Sequence, residues 1–444
     1  MELKYSKEII NKEDYYKMWE KDNRPVTIYF HNPFCITEEN CAYCMHKGCP
    51  KSQHDEGEVA QFYFQYMETL FDFYEPIVNS KDIKLINFGG GTPNYLDAKD
   101  FDTFLGNLFY KFPKLLDVPK IIEIHPALIT KEFILMLRGF FFSTVIFCFQ
   151  TFDNDILREN GRLISNRENC VSAIKLAKEL GMNVGIDLIT YWHTGLDWTD
   201  TLESDLKVVK QLEPDELTIS VLYQNKYNNP NFNGDYVYGK IRQAVNYHLP
   251  DYRNYENTLE EHHEVAATRF FLKGSEKAKE EFDIYTHSLS DMPWQSEQGY
   301  STLGMGTYKN GDKAAYSIIG QEGLVYEEFV DFDKPPILHL HKKWDFWEAA
   351  KNVIEAMREQ FNGENPPVGA TLTLQNIAEA LNLEEEQFQQ VFVGNCNWCF
   401  EPRKSWSGKS DYETKIDNEF EEKVERLDKK KIREFNKKEK IDEF

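Results

Sequence analysis

Apolar residues recur along the first half of the chain in two alternating rhythms. One is helical, three to four residues apart; over Glu58–Tyr74 it is carried by Val59, Phe62, Phe64, Tyr66, Leu70 and Phe73. The other is a short, mostly apolar run. Such runs stand at Val26–His31 (VTIYFH), Ile83–Phe88 (IKLINF), Lys120–Ile124, Thr144–Phe149, Asn183–Thr190 and Glu216–Tyr223, and each predicts a strand. Helices are predicted at Asn11–Glu20, Glu58–Tyr74, Asp97–Tyr110, Lys131–Arg138, Asn166–Leu180 and Thr199–Leu212, with Gly181 stopping the fifth of them.

Regular alternation of strand and helix implies right-handed βαβ crossovers and a parallel sheet with helices outside. Six units fall short of an eight-unit barrel. The expected fold is therefore α/β, a partial (β/α)6 TIM-like barrel open at one side. In such folds the chemistry gathers at the carboxyl ends of the strands.

After Tyr223 the rhythm changes. Asn225–Asp235 is an Asn/Pro-rich loop. Helices are expected at Tyr236–Tyr247 and Leu259–Leu272, an irregular stretch at Pro293–Tyr308, and a helical region at Trp344–Phe361. Thr373–Leu381 and Glu384–Val391 resemble a small helix–turn–helix packing unit. The expected organisation is a lead-in at 1–25, the partial barrel at 26–225, a mostly helical extension at 226–405 and a charged tail at 406–444, read as a solvated helix or disordered.

Composition narrows the function classes. The 444 residues are enough for two or three domains' worth of core, and 41% hydrophobic content marks a globular chain. The formal charge of −23 argues against nucleic acid or an anionic membrane as the main partner. The polar start MELKYSKEIINKED and the lack of long apolar runs predict a cytoplasmic protein. Clustered thiols in that reducing compartment bind metal or react more often than they form disulfides.

Three of the eight cysteines, Cys35, Cys41 and Cys44, lie in the loop after the first strand, with five and then two residues between them. Thiolates select zinc or iron–sulfur clusters. Three thiolates leave one iron of a four-iron cluster open for a ligand. Zinc stays open through Cys49 or His46 as a fourth donor. Cys396 and Cys399 form a second C-x2-C, a candidate for an auxiliary cluster; Cys148 and Cys170 read as buried structural thiols. His125, His193 and His287 are candidate proton relays, and Tyr191, Trp192 and Trp198 line a pocket or, by preference, core.

Several motifs in order sharpen this. Tyr29, His31, Pro33, Phe34 and Cys35 end the first strand, and Gly90-Gly91-Thr92-Pro93 ends the second. Glu123–Pro126 (EIHP), Phe149–Leu157 (FQTFDNDIL), Gly161-Arg162 and Gly185–Ile189 (GIDLI) follow at later strand ends, with a weaker echo at Leu303–Tyr316. The set resembles the radical S-adenosylmethionine (SAM) superfamily, and within it the HemN-like group around oxygen-independent coproporphyrinogen oxidase. The resemblance covers roughly residues 26–225 well and 290–320 faintly.

The resemblance implies a [4Fe–4S] cluster on Cys35, Cys41 and Cys44, with SAM on the fourth iron. It implies Gly90, Gly91 and Thr92 at the SAM amino group, Tyr43 flanking adenine, and Tyr29, Glu123, Gln150, Arg162 and Asp187 among the SAM-binding residues. It also implies a small-molecule substrate, an electron donor such as flavodoxin or ferredoxin, and reductive cleavage of SAM to a 5′-deoxyadenosyl radical. Small-molecule tailoring by methyl or methylene transfer or by oxidation, as in natural-product biosynthesis, is the expected use. A heme chaperone resembling HemW and a porphyrin- or heme-modifying enzyme are the alternatives. The chain departs from the group in its five-residue first cysteine gap, in Thr190–His193 where the group has Gly-x-Pro, and in lacking the markers of coproporphyrinogen oxidase proper.

Overall fold

The computed structural model describes residues 7–342 apart from 45–47, 163–164, 194–197, 223–224, 226–233, 255–266, 276–278, 282–283, 285–299, 310–315 and 320–322. The chain divides into two compact units, Lys7–Leu340 and a second made of Met1–Ser6 with His341–Phe444. The strands in chain order are β1 (Lys7–Ile10), β2 (Val26–Asn32), β3 (Ile83–Gly90), β4 (Lys120–Ile124), β5 (Thr144–Gln150), β6 (Asn183–Thr190), β7 (Glu216–Val221), β8 (Tyr252–Asn254), β9 (Ala267–Leu272), β10 (Ser301–Met305), β11 (Tyr316–Ile319), β12 (Gly323–Glu328) and β13 (Ile337–Lys342). The helices are α1 (Lys12–Lys21), α2 (Glu56–Gln61), α3 (Met67–Ser80), α4 (Ala98–Lys111), α5 (Lys131–Gly139), α6 (Asn154–Glu159), α7 (Arg167–Glu179), α8 (Thr199–Leu212) and α9 (Gly234–His248).

Among the described residues the strands form one open sheet in the order β1-β13-β12-β11-β10-β2-β3-β4-β5-β6-β7-β9-β8. β2 to β7 are parallel neighbours in sequence order, as the alternation requires. The sheet does not close, so the partial barrel is the observed architecture. Four of the helices, α1, α4, α5 and α7, are started by a side chain that the sequence supplies: Asn11, Asp97, Thr130 and Asn166 accept the backbone N–H three residues on.

Two expectations need correction. The expected helix Glu58–Tyr74 is two helices joined by a π turn at Phe62–Tyr66. The wider turn sets Phe62 and Tyr63 against Phe34, the residue before the first cysteine, at ring separations of 5.4 and 6.5 Å. Tyr63 also donates to the Asn32 side chain at 2.8 Å.

Secondly, the described part of 226–342 is rich in strand. The described half of the expected Leu259–Leu272 helix is β9, antiparallel to β7. The expected irregular stretch contains β10, which lies parallel to β2 from Ser301↔Val26 to Met305↔Phe30. β10 therefore adds a seventh parallel strand before the antiparallel β11 and β12. Short alternating runs such as TRFFL and STLGM carry too little periodic signal to separate strand from helix. The helices expected beyond residue 342 and the charged tail lie outside the described residues.

Side chains alternate across each strand, which splits the sheet into two faces. The outer face packs on the helices through the main core, including Phe88, Phe101, Phe104, Ile122, Phe147 and Ile186. On the inner face a small apolar plug of Leu85, Ile121 and Ile146 lies at the lower end, with Phe271 and Cys148 against it. Above it the inner face turns polar. Cys148, Asp187, Thr218 and Arg269 stand in one row across β5, β6, β7 and β9.

Candidate active site

The first cysteine and the glycine turn are built together from backbone. β2 and β3 run in register to His31↔Gly89 and Asn32↔Gly90. Beyond them Gly91 N–H donates to Asn32 O at 2.6 Å and Thr92 N–H to Phe34 O at 2.7 Å. The Thr92 hydroxyl accepts the N–H of Ile36 at 3.2 Å. Two of these glycines are obligatory. Gly90 has φ +101°, and a Cβ there would fall 2.5 Å from Asn32 O. A Cβ on Gly91 would fall 2.4 Å from Phe34 O and 3.0 Å from the sulfur of Cys35.

Gly48 closes the other side of that sulfur, since a Cβ there would lie 2.8 Å from it. Cys35 is thus seated between two positions that lack side chains. Burial, then the neighbouring Cys44 and Cys41, push its thiol up to about 12. Cys44 N–H bonds Cys41 O at 3.0 Å, a tight turn that fits the two-residue spacing. Ala42 N–H bonds Asn160 O at 3.0 Å and so docks the loop on the segment after α6. The extra length of the first gap is absorbed on the surface, where Glu38 and Glu39 are exposed.

Cys49 is not presented with Cys35. It forms a β-bridge to Phe34, with Cys35 N–H bonding Cys49 O at 2.9 Å and Cys49 N–H bonding Pro33 O at 2.7 Å. Bridged residues share a face, so Cys49 follows Phe34 into the core while Cys35 faces the other way. That removes the structural reason for Cys49 as a fourth donor. His46, His287, Cys396 and Cys399 lie outside the described residues.

The strand ends supply side chains. A Cβ on Gly89 would lie 2.9 Å from Glu123 Oε1 and 3.0 Å from the Tyr29 hydroxyl, so Tyr29 and Glu123 flank one notch. Asn87, two residues below on the same face, donates to Glu123 Oε1 at 3.2 Å. Across the sheet the Cys148 thiol donates to Asp187 at 3.2 Å, and burial holds Asp187 above the ordinary carboxylate range. Glu216, buried one pleat lower, accepts from Thr218 at 2.6 Å and is pushed up to about 8 by burial.

Arg162 ties these parts together. It donates to the Tyr43 hydroxyl at 2.8 Å, to Ser165 Oγ at 3.1 Å and to the carbonyl of Cys148. The same serine lies 3.0 Å from Nε2 of His125. The His125 Nδ1 accepts the N–H of Ala127 at 3.3 Å, so the proton sits on Nε2 and points at the serine. Burial first, and Arg162 second, hold His125 well below the usual imidazole range. His125 is therefore a neutral strut behind Arg162. Tyr43 meets Trp192 edge to face at 5.7 Å, which moves Trp192 from core to the rim.

Gln150 ends β5 with φ +79°, and Thr151 N–H bonds Phe149 O at 3.0 Å across it. A three-residue turn with a positive central φ is strained, and such strain gathers at functional sites. Tyr191, just past β6, shares the left-handed conformation at φ +66°.

The sequence-named residues thus form two neighbouring groups: the cysteine loop with Gly90, Gly91 and Thr92, and the strand-end set of Tyr29, Glu123, Asp187 and Arg162, with Tyr43 bridging them. Asn87, Ser165, Thr218, Glu216 and Arg269 were not singled out. Their only signal is placement: Asn87, Thr218, Glu216 and Arg269 stand on the inner face of β3, β7 and β9, and Ser165 lies between α6 and α7, all visible once the register is known.

The donor set suits an iron–sulfur cluster better than an oxygen-seeking cation. Among the described residues no three Cys, His, Asp or Glu side chains already converge in metal-holding geometry. The fit rests on thiol type and on the Cβ-free space around the Cys35 sulfur. The side chains also suit an amino-acid-bearing nucleoside, Glu123 for an ammonium and Arg162 for a carboxylate.

Comparison with known proteins places the chain. No protein-family model matches it. It is 26% identical over 197 residues to oxygen-independent coproporphyrinogen III oxidase of Escherichia coli, a match covering 44% of this chain and 41% of that one. It is 26% identical over 219 residues to the heme chaperone HemW of Buchnera aphidicola, covering 46% and 55%. The chain therefore spans about half or less of the length of these curated relatives. In fold it is similar to the coproporphyrinogen III oxidase HemN of Escherichia coli, described as a radical SAM enzyme, with a TM-score of 0.57 at 17% identity over 88% of this chain and 86% of that chain.

Proposed function

We propose, from the premise that this chain is a HemN-like radical SAM protein in sequence and fold, that it binds a [4Fe–4S] cluster on Cys35, Cys41 and Cys44, with SAM beside it, and acts as an enzyme on an organic small molecule. One observation carries the reading. The cysteine loop and the Gly90–Thr92 turn share hydrogen bonds on both sides of Cys35, so a cluster and a ligand at that turn would be held side by side. When bound, cluster and SAM would together supply a one-electron reductive cleavage that yields a 5′-deoxyadenosyl radical.

The protein's own part is positioning and exclusion. Gly90 and Gly91 admit the ligand's amino-acid end, where the Thr92 hydroxyl already holds the loop. Glu123 offers a carboxylate to an ammonium, and Arg162, braced by Ser165 and His125, offers a fork to a carboxylate. Tyr43 and Trp192 wall the side where a flat base would lie. Gln150 and Asp187 offer polar groups to a ribose. A small electron donor such as flavodoxin or ferredoxin would reduce the cluster. Small-molecule tailoring, by methyl or methylene transfer or by oxidation, remains our reading of the substrate class.

Anaerobic reconstitution tests it. The expected product under dithionite with SAM is 5′-deoxyadenosine, with S-adenosylhomocysteine in addition if the reaction transfers a methyl group. Neither product, from a chain carrying four irons and four sulfides, would sink the reading. The similarity to the heme chaperone HemW supports a second reading as a heme-binding protein, with exposed His193 as an axial ligand. A heme titration that is unchanged in His193→Ala removes that assignment.

A further inference from the structure

Asn87 has a role that none of the motifs assigns. It lies on the inner face of β3, in register with Tyr29 of β2 and Ile121 of β4, and is 3% exposed. Below it is the apolar plug that begins with Leu85 and Ile121. Above it is the notch at Gly89, flanked by Tyr29 and Glu123. It is the first polar group above the barrel floor on that strand.

Its two ends are treated differently. The Asn87 amide nitrogen donates to Glu123 Oε1 at 3.2 Å, and because a carboxylate only accepts, that contact fixes which end is which. The amide oxygen is buried and has no hydrogen-bond partner. A buried acceptor left bare costs free energy, and an apolar side chain of similar shape would avoid that cost. An asparagine here makes physical sense if something bound in the notch supplies the missing hydrogen. The occupant would be a donor: the Tyr29 hydroxyl and the Glu123 carboxylate oxygen that takes the Asn87 amide N–H both lie within 3.0 Å of the Gly89 Cβ position, and the nearest charge is negative.

We infer that Asn87 is a positioning residue that aims the Glu123 carboxylate into the notch and adds a second acceptor for the ammonium end of the bound ligand. The inference rests on the SAM-binding reading above and extends it to a residue outside every motif. Asn87 selects for an amino group by completing an acceptor set that a nucleoside without one would not use.

The test compares two ligands on the reconstituted full chain. Dissociation constants for SAM and for 5′-methylthioadenosine, which lacks the amino-acid end, are measured for wild type, Asn87→Leu and Asn87→Asp. Asn87→Leu should weaken SAM about tenfold, the scale of one charge-assisted contact, and leave 5′-methylthioadenosine within about twofold. Its melting temperature should equal or exceed that of wild type, since the bare acceptor is gone. Asn87→Asp, which keeps an acceptor beside the ammonium but loses the donor to Glu123, should weaken SAM less than Asn87→Leu does, and a larger loss than in Asn87→Leu overturns the inference. Equal SAM affinity in Asn87→Leu overturns the inference. So does a parallel loss of both ligands, or a loss of SAM binding that tracks a fall in melting temperature. Wild-type chain that carries its cluster and binds no SAM defeats the parent reading instead, a result the Asn87 variants cannot produce.

Discussion

The two walls of the site are made by different means. The wall formed by the cysteine loop and the glycine turn is wired through backbone: Gly91 to Asn32, Thr92 to Phe34, Cys35 to Cys49. The wall formed by the ends of β4 to β7 is wired through side chains: Arg162 to Tyr43, Ser165 to His125, Cys148 to Asp187. A backbone wall leaves no room for a Cβ and tolerates little change. A side-chain wall can lose one member and keep its shape, so its losses should be graded. On the function proposed above, the first would position a reactive group and the second would tune what is recognised.

The largest expected effect is on the backbone wall. Gly91→Ala would drive a Cβ into Phe34 O, which cannot retreat without moving Cys35. Iron incorporated on reconstitution should fall below about a tenth of wild type, as for a structural clash in a packed site. Normal iron content in Gly91→Ala would break the comparison at its root.

Next comes the hub of the other wall. Arg162→Ala takes a donor from the Tyr43 hydroxyl and the Cys148 carbonyl and leaves Ser165 held by His125 alone. SAM affinity should drop about 100-fold, the scale of removing one member of a buried charged network, while cluster content stays near normal. Equal loss of cluster would mean that Arg162 belongs to the backbone wall's task.

A smaller effect concerns pH. The Glu216 carboxyl is raised from 4.5 to about 8, chiefly by burial. The folded state therefore holds that proton more tightly than the unfolded chain does. Its contribution is fully present below pH 4.5 and is lost as pH rises through about 8. Glu216→Gln keeps an acceptor for Thr218 and removes the titration. The difference in melting temperature, variant minus wild type, should grow between pH 5 and 8. A flat difference would place Glu216 in a wetter environment than its burial implies.

The smallest effect is expected at Cys49. Because it shares the Phe34 face, Cys49→Ala should keep the full cluster signal, with only the small stability loss of a trimmed core contact. Loss of the cluster would return Cys49 to the ligand set.

The same contrast explains what the sequence could tell. The backbone wall was legible because glycines, prolines and cysteines at fixed spacing announce their geometry. The barrel strands were legible from alternation, and Lys120–Ile124 and Asn183–Thr190 were placed to the residue. Asn87 and Ser165 were not legible, because a single polar residue carries no direction until the register is fixed. Cys148 read as a structural thiol for the same reason; its register with Asp187 turns it inward. β10 was missed because its pairing with β2 spans 275 residues at Thr27 and Thr302, a relation that no local window holds.

The central claim is that the loop of Cys35, Cys41 and Cys44 and the Gly90–Thr92 turn form one shared seat for a cluster and SAM. The most direct measurement is the electron paramagnetic resonance spectrum of the dithionite-reduced, reconstituted chain before and after SAM. The account predicts a four-iron signal that shifts on adding SAM, vanishes in Cys35→Ala, and in Arg162→Ala persists but shifts only at much higher SAM concentration. A signal indifferent to SAM in the wild-type chain, or one that survives Cys35→Ala unchanged, would contradict it.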